Sequence, residues 1–471
     1  MIRYILSLTF LIFPHYQGNA QVQVNRAIQP KPGPAPIIHL DEPVVFKLSN
    51  GITVLVTEDH RVSKISARLF IDTGPITEGQ KAGLNDFMGE MLGEGTKHFS
   101  KAQFDEQVDE IGANVYLYGT GAGTTSLSRY FTKAFNLMCE ALLHPAFTHP
   151  AFEKVKSRTL TSLKSNEDNI NSISTRVANA LVYGRAHPAG EFVTTATINN
   201  ISLPDIDQDY NRYIIPSRAY LTIVGDIDLK SAKSLVDKCL GKWHGKQLKL
   251  PLVRKVSNPT VTEIDFIDMP DAAQSEITLI NLVDIPMGDL DYFPSILANK
   301  ILGGGAEARL FLNLREKHGF TYGAYSGIGS GRFQSDFNAS ASVRSEKTDS
   351  AIVEIINEIK RMQSQRVPES ELNKAKAQFN GDFAIGLESP GRTSGFATIV
   401  MTNNLDKSFY KTYLQKVSSV SADDIVKVAK KYFNYSNCHI IVVGNGALVL
   451  SKLKLLGYPI KRYDYYANLI Q

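Results

Sequence analysis

Residues 213–226 (Tyr-Ile-Ile-Pro-Ser-Arg-Ala-Tyr-Leu-Thr-Ile-Val-Gly-Asp) align without a gap on residues 432–445 (Tyr-Phe-Asn-Tyr-Ser-Asn-Cys-His-Ile-Ile-Val-Val-Gly-Asn), so the chain repeats itself at long range. In each copy the pattern predicts an amphipathic helix ending at the tyrosine, Tyr213 or Tyr432. An apolar strand follows, then a Gly-Asp or Gly-Asn turn into the next helix. Two shorter echoes recur at a similar offset. Leu92-Gly93-Glu94-Gly95 matches Leu302-Gly303-Gly304-Gly305, and Phe104 with Ile111-Gly112 matches Phe311 with His318-Gly319. A solenoid repeats every 20 to 50 residues or so, and this spacing of roughly 200 means two whole domains. Each half mixes hairpins, such as Val44 to Leu48 and Ile52 to Thr57 around Ser49-Asn50-Gly51, with long helices. The expected architecture is α+β: two tandem homologous domains, each a largely antiparallel sheet with helices packed on one face.

The join falls at residues 247–259, a basic, proline-punctuated stretch without amphipathic period, which separates expected domains at 44–246 and 260–471. Residues 1–20 carry Arg3, an apolar run from Ile5 to Phe13 and the small residues Gly18-Asn19-Ala20. They read as a cleaved export signal, too short to span a bilayer, and no stable membrane insertion is expected. Pro30, Pro32, Pro34 and Pro36 make residues 21–43 an extended arm, and the expected location is periplasmic. The composition, 43% hydrophobic and 21% charged, is that of a folded chain, and the net charge of +4 has no basic block, which argues against nucleic acid as a partner. Cys139, Cys239 and Cys438 are odd in number and far apart in sequence, and read as buried free thiols.

Leu84, Phe87, Met88 and Met91 recur at helical spacing, which predicts a helix over residues 79–92 with that stripe in the core. Asp86 and Glu90 then project together from another face, and alone they read as solvated rim charges in preference to an oxygen-ligand metal site. In residues 301–326 a helix through Leu310, Phe311 and Leu314 is expected to stop at Gly319, which can take the left-handed conformation. Arg315 lies in its last turn and Tyr322 opens a strand. Either residue alone reads as structural, the arginine on its own helix carbonyls and the tyrosine as a strand aromatic. Gly303-Gly304-Gly305 lacks the Gly-Lys-Ser/Thr ending of a P-loop and reads as a tight turn.

These two stretches carry a resemblance. Residues 83–96 resemble the segment in which pitrilysin-type inverzincin peptidases place His-x-x-Glu-His. Here Asp86 and Glu90 stand at the histidine positions and Gly89 at that of the general base. Ser162, on a helix expected over residues 151–166, stands at the third, glutamate ligand; a register slip would nominate Glu153 or Glu167, neither a comfortable substitute. Residues 301–326 are very similar to the second-domain signature of the same family: a Gly-rich turn, Arg-Leu-Phe, then Leu-Arg-x-Lys-x-Gly with a tyrosine seven residues after the second arginine.

The resemblance implies that Arg315 and Tyr322 reach across to a zinc site and donate hydrogen bonds to substrate backbone and developing oxyanion. It is nearest to the processing-peptidase branch, in which one subunit of a heterodimer can lose its metal motif. The expected function is therefore a non-catalytic, exported subunit. It would have no cofactor of its own, and would enclose a peptide chamber with a zinc-bearing homologue of the same family. Peptide substrates would add as a strand to a sheet edge. Two rivals stay open: a peptide-binding or scaffold protein without a protease partner, and a hydrolase using Asp86 and Glu90.

Overall fold

Strands of alternating burial, such as Lys64–Ile71, Ala219–Gly225 and Ser335–Arg344, and strands buried along most of their length, such as Glu263–Asp268 and His439–Gly444, build the two halves. In the computed structural model, which describes residues 42–247, 249–389 and 391–470, twelve strands form two six-stranded sheets. The expected export signal and most of the proline-rich arm lie outside the described residues. The first sheet contains β1 (Val44–Lys47), β2 (Thr53–Glu58), β3 (Lys64–Ile71), β4 (Asn114–Tyr118), β5 (Gly121–Leu127) and β6 (Ala219–Gly225), ordered β1-β2-β6-β3-β5-β4. The second contains β7 (Glu263–Asp268), β8 (Gln274–Val283), β9 (Thr321–Ile328), β10 (Ser335–Arg344), β11 (His439–Gly444) and β12 (Ile460–Tyr463), ordered β12-β7-β11-β8-β10-β9.

Five strands of each sheet are topologically equivalent, and β2–β6 and β7–β11 are the matching parallel pairs within otherwise mostly antiparallel ladders. The sixth strand breaks the symmetry: β1 precedes its sheet and runs antiparallel to β2, whereas β12 follows its sheet and runs parallel to β7. The repeat holds in detail, because helices Leu203–Tyr213 and Ala422–Tyr432 both end at the matched tyrosines. Gly112 and Gly319 share a left-handed backbone, φ +56° and +60°.

Each half packs its own helices against one sheet face, and the opposite face takes a helix from the other half. Helix Ile170–Tyr183 lays Ile173, Val177, Ala178 and Val182 on Ile267, Ile280, Leu282, Ile441 and Val443 of the second sheet. Each fully buried aliphatic side chain of this kind contributes about 1.5–3 kcal/mol. Its repeat equivalent, helix Gly391–Thr402, lies against β2 and β6, with Ser394 and Thr57 hydroxyls 2.8 Å apart. That second docking is looser and leaves a cavity of about 700 Å³ between the helix and the sheet. Between the lobes, Asp72 at the end of β3 is buried and takes a bidentate pair from Arg332, at 2.6 and 2.9 Å, together with Arg218 of its own lobe.

Three local expectations change. The helix expected over residues 79–92 spans only Leu84–Leu92, because Gly83 adopts φ +97° and separates it from a short turn at Gly79–Lys81. Cys139 and Cys438 are buried but Cys239 is partly exposed. Helices Phe131–Leu143 and Leu229–Leu240 bring Cys239 beside Cys139, so distance in sequence did not keep those thiols apart; burial, with Cys239 adding to it, raises the Cys139 thiol well above its ordinary range.

Candidate functional site

The helix Leu84–Leu92 buries Phe87, Met88 and Met91 and turns Asp86 and Glu90 to solvent, as its stripe requires. Its N-terminus is held by Glu78, whose carboxylate accepts the Gly83 and Asn85 N–H groups at 2.6 Å each. Asp209, from helix Leu203–Tyr213, is buried beside this corner with Oδ2 unpartnered, and burial pushes its carboxyl up to about 6.

A carboxyl whose folded pKa is raised takes up protons more readily when folded. Stability therefore falls as pH rises through the window from about 4 to 6, and the loss is complete above it. Asp209→Asn is expected to be more stable than the parent by about 1–2 kcal/mol at pH 7.5, and level with it at pH 4. Urea unfolding at both pH values checks this; an equal difference at both would refute the titration.

The face at which the pitrilysin-type peptidases that residues 83–96 resemble hold zinc carries an ion-pair network here. Arg158, one turn before Ser162 on helix His149–Ser165, donates from Nη2 to Glu90 Oε2 at 2.7 Å and from Nη1 to Glu94 Oε1 at 3.3 Å. Lys154, one further turn back, donates to Glu94 Oε2 at 2.7 Å. Ser162 is exposed, Glu153 lies 3.9 Å from His149, and Glu167 accepts the Tyr466 hydroxyl at 2.8 Å, so none of the three candidates for a third ligand joins the cluster.

Gly89 leaves no space for a base. A Cβ there would meet the Gly119 nitrogen at 2.4 Å and the Tyr118 carbonyl carbon at 2.8 Å, because the turn between β4 and β5 presses on the helix. These residues do not fit a zinc centre: the histidine positions hold carboxylates, one already paired with Arg158, and the base position has no room for a side chain. The sequence signals for the network were Arg158 at i−4 from Ser162 and a glycine inside an otherwise regular helix.

In the second lobe the chain widens over Leu312–Lys317 into π-type turns, with the His318 N–H donating to Asn313 O at 3.1 Å, five residues back. Such insertions are rare and recur at functional sites. The helix stops at Gly319 as expected, and the Phe320 N–H closes on Leu314 O at 2.8 Å. Arg315 lies over the Phe311 ring, 4.8 Å from its centroid, and only 3.4 Å from its neighbour Glu316. Tyr322, on edge strand β9, is 84% exposed. Among the described residues neither makes a hydrogen bond to the other or to the helix Leu84–Leu92.

Two family profiles match in tandem. Residues 53–187 match the insulinase family (peptidase family M16), and residues 200–379 match the domain described as the peptidase M16 inactive domain. An uncharacterized zinc protease of Rickettsia felis is 24% identical over 85% of this chain and 97% of its own length. The non-peptidase homolog YmxG of Helicobacter pylori is 22% identical over 84% and 92%. The mitochondrial-processing peptidase subunit beta of Saccharomyces cerevisiae is 19% identical over 86% and 91%. A solved peptidase M16 inactive domain from Pseudomonas fluorescens shares the fold, with a TM-score of 0.77 and 21% identity over 86% of this chain and 98% of that one. With two homologous lobes and a first-lobe motif stripped of ligands and base, the chain belongs to the insulinase (M16, pitrilysin-type) peptidase family as a non-catalytic homologue.

Proposed function

We propose that this chain is the non-catalytic subunit of an exported, periplasmic heterodimeric zinc metallopeptidase, lending Arg315 and Tyr322 to a zinc-bearing homologue. One observation carries the reading. A tyrosine at 84% exposure on an edge strand and, seven residues before it, an arginine whose side chain among the described residues meets a ring face and its sequence neighbour are two donors without work inside their own lobe. A planar guanidinium and a phenol are donors suited to peptide carbonyls and to an oxyanion. Edge strands β4 and β9 each offer an open ladder to which an extended peptide adds by main-chain hydrogen bonds. The relative from Saccharomyces cerevisiae is by its name one subunit of a peptidase, which supports a partner of this family. Zinc belongs to that partner in this reading, since the first lobe's own corner is filled by Arg158.

The test is a pull-down of tagged protein from its native envelope fraction, followed by zinc content and peptide hydrolysis of whatever co-elutes. A stoichiometric zinc-bearing homologue is expected. Arg315→Ala and Tyr322→Phe are each expected to lower the complex's turnover by 10²-fold or so without dissociating it, the scale of a lost oxyanion donor. A lone, metal-free and inactive chain would leave a peptide-binding or scaffold protein instead.

A further inference from the structure

Strand β7 places Glu263 and Asp265 on the sheet face to which Ile267 also points, and the parallel register sets His439 of β11 directly beside Glu263. Each of the three offers a ligand atom, and these atoms lie within 4.8 Å of one another. His439 Nδ1 is 2.7 Å from Asp265 Oδ2 and 3.5 Å from Glu263 Oε1. Lys461 of β12 reaches Glu263 Oε2 at 2.5 Å. Asp265 is 0% exposed, and its Oδ1 has no hydrogen-bond partner. A fully buried carboxylate with one oxygen bare, facing a second carboxylate and an imidazole, is short of one coordinating partner.

We propose that Glu263, Asp265 and His439 form a divalent-cation site in the second lobe, with Zn²⁺ the preferred ion. One imidazole and two carboxylates are a zinc donor set. At bond lengths near 2.1 Å, tetrahedral ligands stand about 3.4 Å apart. Glu263 Oε1 and His439 Nδ1 already have that spacing, and the bare Oδ1 supplies the third donor after a small rotation of the Asp265 side chain. Binding through Nδ1 requires that nitrogen without a proton, so its hydrogen bond to Asp265 gives way to the ion, with Nε2 carrying the ring proton. Lys461, the most exposed of the group, withdraws its ammonium toward solvent. The ion would tie β7 to β11, neighbouring parallel strands one place in from the β12 edge of the second sheet, and it owes nothing to the degenerate helix in the first lobe.

The experiment is calorimetric titration of ZnCl₂ into the full chain, stripped with chelator, in two buffers of different protonation enthalpy, with thermal unfolding alongside. One Zn²⁺ per chain and a raised melting temperature are expected. His439→Gln and Glu263→Gln are expected to weaken binding at least tenfold, while Asp86→Ala/Glu90→Gln leaves it unchanged. Should His439→Gln fail to fold, Lys461→Met decides: removal of the competing ammonium is expected to tighten Zn²⁺ binding. Absence of stoichiometric binding, binding indifferent to Glu263→Gln, weaker binding in Lys461→Met, or a preference for Mn²⁺ in a parallel titration would each overturn the assignment.

Discussion

Replacing Gly89 by alanine is expected to destabilise the protein by about 2–3 kcal/mol, although alanine is the better helix former by about 1 kcal/mol. The two effects have opposite signs, and geometry decides between them. The added Cβ would sit 2.4 Å from the Gly119 nitrogen and 3.0 Å from the Tyr118 Cα, backbone atoms that cannot rotate away as a flexible side chain could. Relief requires the β4–β5 turn to lift from the helix, and Asn85 resists this through its donation to Gly119 O at 3.2 Å. Chemical unfolding of Gly89→Ala checks the sign; a variant as stable as the parent would show that the turn yields freely. The same contact means that writing the peptidase motif back, by Asp86→His, Gly89→Glu, Glu90→His and Ser162→Glu together, is expected to give no zinc-dependent hydrolysis. The loss of catalysis in this lobe is thus embedded in backbone packing as well as in side-chain chemistry.

Asp72→Ala is expected to cost about 3–5 kcal/mol, the range for removing one partner from a buried ion pair. It leaves Arg218 and Arg332 facing one another without the carboxylate between them, and Arg332 is the contribution of the other lobe. Burial works to raise the Asp72 carboxyl, but hydrogen bonds from Arg332 and Arg218 outweigh it and hold it below the ordinary range. A depressed pKa stabilises the fold above the ordinary carboxylate value of 3.8, and this stabilisation is lost as pH falls through the folded value. The deficit of Asp72→Ala should therefore be full at pH 7 and shrink as the solution is acidified below about 4. Urea unfolding across pH, with limited proteolysis of the segment at residues 249–259, reports both the energy and the loosening between lobes. A double-mutant cycle with Arg332→Met showing no coupling would refute the bridge.

Much of this fold could be read from local pattern. The tyrosine-ended helices, the left-handed Gly319 and the buried stripe of Phe87, Met88 and Met91 all follow from periods and turn chemistry within a dozen residues. The exchange of helices could not. Ile173, Val177 and Val182 announce one apolar face, but periodicity does not say which sheet covers it. Nor does any local signal join Asp72 to Arg332, 260 residues away.

At the candidate site, the exposure of Asp86 and Glu90 was legible from their place opposite the stripe, whereas their neighbourhood was not. Arg158 binds Glu90 through an approach of two helices set by the core, and the chain supplies this cation one turn before Ser162, the position aligned with a ligand. The proximity of Cys139 and Cys239 has the same origin, two helices brought together by tertiary packing.

Because helix Ile170–Tyr183 rests on a sheet whose strand β11 ends at Gly444, its docking surface does not exist when it is made. At 5–20 residues per second, the ribosome takes roughly 10–50 s to add the intervening stretch. For that time a largely apolar helix face is presented to its surroundings, long enough for aggregation to compete with folding. The nascent chain is therefore expected to gain from factors that hold unfolded chains until β11 is made. For the same reason, neither lobe made by itself should be a stable soluble domain.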